Sequence, residues 1–220
     1  MIQAFIFDLD GTLLDTEVLW VEALYQVAQE KNLDCTYDQA LEIVYGKSWT
    51  GVFAQLHQRY PDTFVEINAS DELLRLYFRQ LKKSREVRIF GSIELLKRLS
   101  RKFPVAVVSG SSRKDIEASL NLMGISKAIK FYLGNEDCAQ GKPQPDCFLK
   151  AAEKLQLKPE KCLVFEDSTA GIQAAKAAGM VCVALVRRGA PVQDTSQADE
   201  VLEDLRQFDI GRWNTSSEPM

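Results

Sequence analysis

Acidic and hydroxyl side chains follow short apolar stretches at three points of this sequence, and a lysine lies in a loop that precedes the last of them. They form four clusters, which are Asp8-Leu9-Asp10, Ser109-Gly110-Ser111-Ser112, Gly141-Lys142-Pro143 and Glu166-Asp167-Ser168. Carboxylates gathered without an arginine repel one another unless a cation lies between them, and hard oxygen ligands favour Mg²⁺. A lysine, hydroxyls and backbone N–H groups beside them can bind phosphate. Together the clusters indicate chemistry on a phosphate ester, with Mg²⁺ as the cofactor.

The two aspartates of the first cluster could divide this chemistry between them. A carboxylate such as that of Asp8 can attack phosphorus and form an aspartyl-phosphate, which splits one difficult displacement into two easier ones. Asp10 leaves the same strand end two residues later. Its carboxyl group can give a proton to the leaving oxygen and later take one from water. Lys142 would stabilise the nucleophile and the transferring group electrostatically.

The elements that must position these clusters are short apolar runs. They lie at residues 2–7, 104–108, 131–133, 162–165 and 181–185. Most are nearly continuous in apolar residues, which is typical of strands buried on both faces of a parallel sheet. Helical segments separate the later runs. One of them is expected to begin at Ser112, with Asp115 as its capping partner, and to end at Gly124.

Strand–helix alternation over residues 104–185 predicts an α/β fold with right-handed crossovers and an open, doubly wound parallel sheet. In such sheets ligands bind outside the carboxyl ends of the strands. Three of the clusters directly follow predicted strands, and the fourth lies in a loop between a strand and a helix. We therefore expect all four at one edge of one sheet.

The stretch from about residue 15 to residue 86 breaks the alternation. It predicts consecutive helices near residues 18–31, 38–44, 50–60 and 71–85, with no convincing strand. An insert of this kind after the first strand is expected to form a small α-helical cap domain. The sequence thus predicts a core domain over residues 1–15 and 87–213, a cap domain over 16–86, and a flexible tail over 214–220.

Composition argues against several other classes of function. The net charge is −4, and the densest basic cluster, around residues 82–88, is typical of a solvated helix end rather than a nucleic-acid site. No apolar stretch approaches the roughly 20 residues of a membrane span, and no secretory leader is evident. The five cysteines are scattered, which favours free thiols in a reducing compartment. We expect a cytoplasmic protein, monomeric by default, with no nucleic-acid or membrane partner.

The clusters, in their order and spacing, resemble the four signatures of the haloacid dehalogenase (HAD) superfamily. The matching segments are residues 8–16, 107–111, 141–148 and 165–172. The resemblance implies a Rossmann-like core with a helical cap, Asp8 as nucleophile and Asp10 as acid/base. It also implies that Asp8, the main-chain carbonyl of Asp10 and Asp167 ligate Mg²⁺, with Glu166 in the same shell. Ser109, Gly110 and Lys142 would hold the phosphoryl group.

The resemblance also bears on the reaction. The dehalogenases of the superfamily lack the second aspartate and the metal, so Asp10 and Asp167 favour phosphoryl chemistry. The fourth signature is most similar to the β-phosphoglucomutase-like branch, whose mutases carry a cap-linker histidine and a cap arginine that binds a second phosphate. The matching positions here are Trp20 and Trp49. This implies a phosphoric monoester hydrolase (a phosphatase) acting on a small phosphorylated metabolite such as a sugar phosphate, with a phosphosugar mutase as the alternative.

Four further residues are candidate substrate contacts, namely Trp20, Lys47, Trp49 and Ser111. For the two tryptophans, ordinary packing inside the cap is an equally good explanation. A different class of function is a non-catalytic phospho-acceptor or binding module, because receiver domains also phosphorylate an aspartate at a strand end. The helical insert and Asp10 favour the enzyme, since a receiver needs no acid for a leaving group.

Overall fold

The computed structural model describes residues 1–45, 47, 49–187, 190 and 192–214. The chain folds as two compact units. The core unit comprises Met1–Leu14 and Arg88–Met220, and the helical unit comprises Asp15–Val87. Of the predicted tail, residues 215–220 lie outside the described part of the chain. None of the described helices has the length and apolar character that a membrane span requires.

The core unit contains a parallel sheet. Its strands, within the described residues, are β1 (Ala4–Phe7), β2 (Val105–Val108), β3 (Phe131–Leu133), β4 (Cys162–Glu166), β5 (Val181–Leu185) and β6 (Glu200–Leu202). They lie in the order β3-β2-β1-β4-β5-β6, and each neighbouring pair is parallel. This confirms the predicted α/β class with a doubly wound sheet. The edge strand β6 was not predicted, because three half-exposed residues carry too little apolar pattern.

Helices connect the strands and form the helical unit. In chain order the described helices are α1 (Glu17–Glu30), α2 (Tyr37–Val44), α3 (Trp49–Arg59), α4 (Ile67–Ser84), α5 (Phe90–Ser100), α6 (Arg113–Met123), α7 (Asp146–Leu155), α8 (Thr169–Ala177) and α9 (Gly211–Asn214). Helix α6 begins as predicted, with the Ser112 hydroxyl accepting the N–H of Asp115, and it ends at Gly124 in the left-handed conformation. Local signals therefore determine both ends of this helix.

Strand β1 lies in the middle of the sheet, and this placement is what positions the site. Its four residues are fully buried, and it pairs with β2 on one side and β4 on the other. Successive strands thus proceed in opposite directions from β1, which makes the carboxyl end of β1 the point where the strand order reverses. Such a point is where open α/β sheets bind ligands.

The helical unit is built from α1 to α4. Helix α1 packs against α2 and α4, and α3 contacts both of these. Thr36 and Gln39 form a capping box that begins α2, with Gln39 N–H donating to Thr36 Oγ1 at 3.3 Å and Thr36 N–H donating to Gln39 Oε1 at 3.0 Å. Helix α4 begins at Ile67, earlier than the predicted residue 71. Ser70 lies in its first turn, where the hydroxyl donates to the carbonyl of Glu66 at 2.7 Å.

Cys138 and Cys147 form a disulfide, so the prediction of free thiols is wrong for this pair. Their Cα atoms lie 5.4 Å apart, within the usual range for a disulfide. The intervening loop turns back, so that Cys147 in the first turn of α7 meets Cys138. No C-x-x-C pattern announces this approach, which arises from the turn of the loop. Cys35, Cys162 and Cys182 are free, as predicted, and the structure shows that all three are buried.

Removing this disulfide is expected to destabilise the core unit. It closes a loop between residues with a sequence separation of 9, and loop closure of that size contributes about 2–3 kcal/mol to the free energy of unfolding. Chemical denaturation with and without a dithiol reductant measures the effect. The double variant Cys138→Ser/Cys147→Ser is the control, since its midpoint should not respond to the reductant. Equal midpoints for oxidised and reduced wild type would contradict this expectation.

Candidate active site

Asp8 directly follows β1 and lies at the centre of the sheet edge. Its backbone N–H donates to the carbonyl of Phe165 at 2.9 Å, and its side chain is buried. The chain then turns through Gly11, whose φ is +93°. A Cβ at this position would lie 2.0 Å from Oδ2 of Asp167. Glycine is therefore needed here for two reasons: the backbone is left-handed, and the side chain of Asp167, directly after β4, leaves no room for a Cβ.

The end of β4 brings two further carboxylates to the same place. Glu166 is the last residue of the strand and Asp167 follows it, and both are buried. The Thr12 hydroxyl donates to Oδ1 of Asp167 at 2.9 Å. One oxygen of Glu166, Oε2, accepts the N–H groups of Asp167 and Ser168, each at 2.9 Å, and the Ser168 hydroxyl at 3.0 Å. Hydrogen bonds thus restrain both carboxylates at the end of β4.

Lys142 is the cation that the site itself supplies. Its ammonium lies 2.5 Å from Oδ1 of Asp8 and also contacts Oε1 of Glu166. The exposed fraction of the side chain is 14% for Lys142, 7% for Asp8 and 0% for Glu166. Burial alone would favour the neutral amine, but the charges of Asp8 and Glu166 outweigh it and raise the pKa of Lys142. The lysine is therefore charged and shared between two carboxylates.

One lysine does not compensate all the acidic groups. Asp8, Glu166 and Asp167 each offer a carboxylate oxygen, and these atoms lie within 4.8 Å of one another. Burial raises the pKa of Asp8 well above its usual value, with Lys142 opposing the rise and the charges of Glu166, Asp167 and Asp10 adding to it. A buried, all-oxygen donor set with excess negative charge fits a hard divalent cation such as Mg²⁺. Such a cation would favour the ionised form of Asp8 that nucleophilic attack needs.

Asp10 lies at the edge of the site and contacts the loop after β2. Its Oδ2 accepts the hydroxyl of Ser109 at 3.1 Å and the hydroxyl of Ser111 at 2.7 Å. The Ser109 hydroxyl in turn accepts the N–H of Ser111 at 2.9 Å. Gly110, between them, is exposed, and open space surrounds the position where a Cβ would be. The structure therefore brings together the predicted core residues from four separate segments of the chain.

The remaining candidates belong to the helical unit. Trp20 is half-buried and stacks on Phe78, with ring centroids 4.0 Å apart, while the Arg75 guanidinium lies 5.6 Å from its ring centroid. Lys47 is exposed, and its ammonium contacts the Glu42 carbonyl and lies 3.2 Å from Oε1 of Gln55. Trp49 is half-buried at the start of α3. Packing within the unit accounts for the position of Trp20.

Sequence reasoning assigned no role to three residues that shape the site. Thr12 binds Asp167, Gly171 allows Glu166 to approach α8, and Gln193 ties a distant loop to the start of α8. The first two lie inside the segments that carry the resemblance, so their positions were available as a signal. Gln193 Oε1 accepts the N–H of Thr169 at 2.9 Å and its hydroxyl at 3.0 Å, a contact that only the tertiary structure shows.

Gly171→Ala is expected to destabilise the protein although it places alanine in a helix. A Cβ at this position would lie 1.8 Å from Oε1 of Glu166, so the carboxylate that binds Lys142 would have to move. Alanine alone would favour the helix by about 1 kcal/mol, and overpacking costs about 1–3 kcal/mol in addition to the lost hydrogen bonds. We expect a net loss of about 2 kcal/mol in the free energy of unfolding, measured by urea denaturation.

Gly141→Ala is the matched control for that variant. A Cβ added at Gly141 would meet no heavy atom within 4 Å, and the φ of this residue is not positive. Its substitution should change stability by less than about 0.5 kcal/mol. Equal stability of the two alanine variants would show that the crowding at Gly171 has no energetic consequence.

The chain matches one protein-family model and is similar in sequence to known phosphatases. A family model described as haloacid dehalogenase-like hydrolase matches residues 5–185. The chain is 30% identical over 217 residues to validoxylamine A 7'-phosphate phosphatase of Streptomyces hygroscopicus subsp. limoneus, covering 97% of each chain. It is 31% identical over 212 residues to the bifunctional riboflavin kinase/FMN phosphatase of Arabidopsis thaliana. That match covers 94% of this chain and 55% of the plant protein, so the chain spans about half of it.

A solved structure shares the fold over nearly the whole length. The β-phosphoglucomutase of Clostridium difficile superposes with a TM-score of 0.75 at 25% sequence identity, covering 97% of this chain and 96% of that one. The match extends over both the α/β core and the helical insert. It agrees with the resemblance of the fourth signature, residues 165–172, to the β-phosphoglucomutase-like branch.

Proposed function

The chain belongs to the haloacid dehalogenase-like hydrolases, and we propose that it is a Mg²⁺-dependent phosphatase of a small phosphorylated metabolite that acts through an aspartyl-phosphate on Asp8. One observation carries the proposal. The Lys142 ammonium lies between Asp8 and Glu166 in a buried cluster that includes Asp167, while Asp10 lies two residues from the nucleophile. Groups suited to the roles of nucleophile, acid/base, fixed cation and metal ligands therefore lie close together, which supports the proposal.

The proposed reaction has two displacements. In the first, an oxygen of Asp8 forms a bond to phosphorus as the bond from phosphorus to the alcohol oxygen breaks, and Asp10 gives its proton to that oxygen. In the second, a water attacks phosphorus while Asp10 takes the water's proton, and the Asp8 carboxylate and inorganic phosphate are released. Lys142, Ser109 and the backbone N–H groups at Gly110 would bind the phosphoryl oxygens.

The carboxylate cluster of the site supports a role for Mg²⁺ in this reaction. Asp8, the main-chain carbonyl of Asp10 and Asp167, with Glu166 nearby, would hold Mg²⁺. When bound, it offsets the repulsion between an anionic nucleophile and an anionic phosphoryl group. Thr12 and the N–H groups at residues 167 and 168 orient the ligating carboxylates, a function that second-layer hydrogen bonds serve in metal sites.

The substrate class is proposed as a small phosphorylated metabolite, with sugar phosphates as the first compounds to test, because the names of the relatives describe phosphatases of small molecules. Trp20, Lys47, Trp49 and Ser111 stay candidate substrate contacts. A phosphosugar mutase is the second candidate, since the structural neighbour is a β-phosphoglucomutase. Trp20 and Trp49 stand where such mutases carry the histidine and the arginine, which favours the phosphatase.

An assay of phosphate release tests the proposal. The purified chain with Mg²⁺ should hydrolyse p-nitrophenyl phosphate and at least one member of a panel of phosphorylated metabolites that includes glucose 1-phosphate and glucose 6-phosphate. EDTA should abolish the release and added Mg²⁺ should restore it. Absence of Mg²⁺-dependent release would overturn the phosphatase, and interconversion of the two glucose phosphates would establish the mutase instead.

We also propose a cytoplasmic monomer without nucleic-acid or membrane partners. The acidic net charge of −4 supports the absence of a polyanionic partner. Disulfides are rare in a reducing compartment, so this proposal expects Cys138 and Cys147 to be largely reduced in the cell, although they are bonded in the structure. Titration of free thiols in protein taken directly from cells would measure how much of the chain carries the disulfide there.

A further inference from the structure

The loop that follows β2 contains three serine hydroxyls, at positions 109, 111 and 112, of which two bind Asp10 and one caps α6. Ser112 accepts the N–H of Asp115 and so caps α6. Ser109 accepts the N–H of Ser111 and donates to Asp10. Ser111 donates to Oδ2 of Asp10 at 2.7 Å, the shorter of the two hydroxyl bonds to that oxygen. The helix cap therefore does not require Ser111, and its hydroxyl is directed at Asp10.

The backbone holds Ser111 in this position from two sides. Its N–H donates to the Ser109 hydroxyl at 2.9 Å, and its carbonyl accepts the N–H of Asn135 at 3.1 Å. Gly134 permits this second contact, because a Cβ there would lie 2.9 Å from the Ser111 carbonyl oxygen. Ser111 is thus anchored to the loop after β3 as well as to its own loop. Because two hydrogen bonds fix the backbone of Ser111, its hydroxyl can restrain the group that it binds.

We infer that Ser111 is a positioning residue for Asp10, an inference that rests on the proposed phosphatase function. A carboxyl group that transfers a proton must stay within hydrogen-bond reach of the oxygen that it serves. Two hydroxyls that bind the same oxygen, Oδ2, restrain rotation of the Asp10 side chain. Ser109 is buried and is also a candidate phosphate ligand, so Ser111 is the better of the two hydroxyls on which to test this task.

This role differs from binding the substrate, because it concerns the proton given to the leaving group. Phenyl phosphate and p-nitrophenyl phosphate present nearly the same shape and the same phosphoryl group. Phenolate is the poorer leaving group and needs a proton as it departs, whereas p-nitrophenolate departs without one. Loss of a correctly placed acid should therefore slow the phenyl ester selectively, while loss of a phosphate ligand should slow both esters alike.

The experiment compares kcat/KM for these two esters, since kcat/KM reports the steps up to formation of the aspartyl-phosphate. In Ser111→Ala the value for phenyl phosphate should fall about tenfold or more, and that for p-nitrophenyl phosphate by less than about threefold. Ser111→Thr keeps the hydroxyl and should restore most of the loss. Ser112→Ala, which removes the neighbouring helix cap, is the matched control and should leave the ratio of the two values unchanged.

Three results would contradict the inference. Equal losses for both esters in Ser111→Ala would make Ser111 a phosphate ligand or a structural residue, and unchanged values for both would remove it from the reaction. Failure of Ser111→Thr to restore the ratio would exclude the hydroxyl as the active group. A wild type that hydrolyses neither ester with Mg²⁺ is a different outcome, which overturns the proposed function and with it this inference.

Discussion

Asp8→Asn is expected to reduce Mg²⁺-dependent phosphate release by a factor on the order of 10⁴ or more, because an amide oxygen is a poor nucleophile toward phosphorus. Asparagine has nearly the same shape, so the buried position at the end of β1 stays filled. The rate of phosphate release from p-nitrophenyl phosphate measures the loss. Retention of a near-normal rate would remove Asp8 from the role of nucleophile.

A labelling experiment separates the nucleophile from the acid/base group. After acid quenching of a reaction with an ester labelled in its phosphoryl group, wild type should carry label on the protein and Asp8→Asn should carry none. Asp10→Asn should retain label longer than wild type, because a water that lacks a base hydrolyses the aspartyl-phosphate slowly. Label on the Asp8→Asn protein would place the nucleophile elsewhere.

Lys142→Met is expected to have the second largest effect. Removal of the ammonium leaves Asp8 and Glu166 buried without their shared cation. Loss of one partner of a buried ion pair lowers the free energy of unfolding by about 3–5 kcal/mol. Activity should fall about 10²–10³-fold, since the charge that stabilises the transferring group is lost. Urea denaturation in EDTA measures the first effect and phosphate release with Mg²⁺ the second. Added Mg²⁺ should restore part of the stability, because it compensates the same carboxylates.

Lys176→Met provides the control for Lys142. Lys176 pairs with Asp199 at 2.6 Å in the same unit, but these side chains are 30% and 31% exposed. Water screens such a pair, so its loss should cost no more than about 1 kcal/mol and should leave activity unchanged. If both lysine variants lost the same stability, burial of the Asp8–Lys142–Glu166 cluster would not be the source of its energetic importance.

The main features of the core could be predicted from local patterns. Each of the five apolar runs became a strand, because an uninterrupted apolar segment bounded by polar or glycine residues is suited to the interior of a parallel sheet. Strand β6 has no such pattern and depends on pairing with β5, in which Val183 is opposite Glu200. Its formation reflects a neighbour rather than its own sequence.

The prediction of free thiols was wrong for one pair of cysteines, for the same physical reason. Cys138 and Cys147 are not part of a recognisable motif, and their approach depends on how the loop around Lys142 turns. The Gln193 contact to Thr169 and the Ser111 contact to Asp10 are similar cases. Each of these partners is polar and ordinary in its own segment, so only the folded arrangement shows what it binds.

The sequence by itself determined the chemistry available to this protein, which is a pair of aspartates after one strand, two acidic residues after another, a lysine and a group of serines. Tertiary structure determined which of these groups meet. Lys142 contacts Asp8 across 134 positions of sequence, and Thr12 contacts Asp167 across 155. The reason is physical. The sequence patterns that predict strands and helix caps act over a few residues. The order of the strands brings distant segments to one sheet edge, and burial there makes the contacts of charged groups strong and selective.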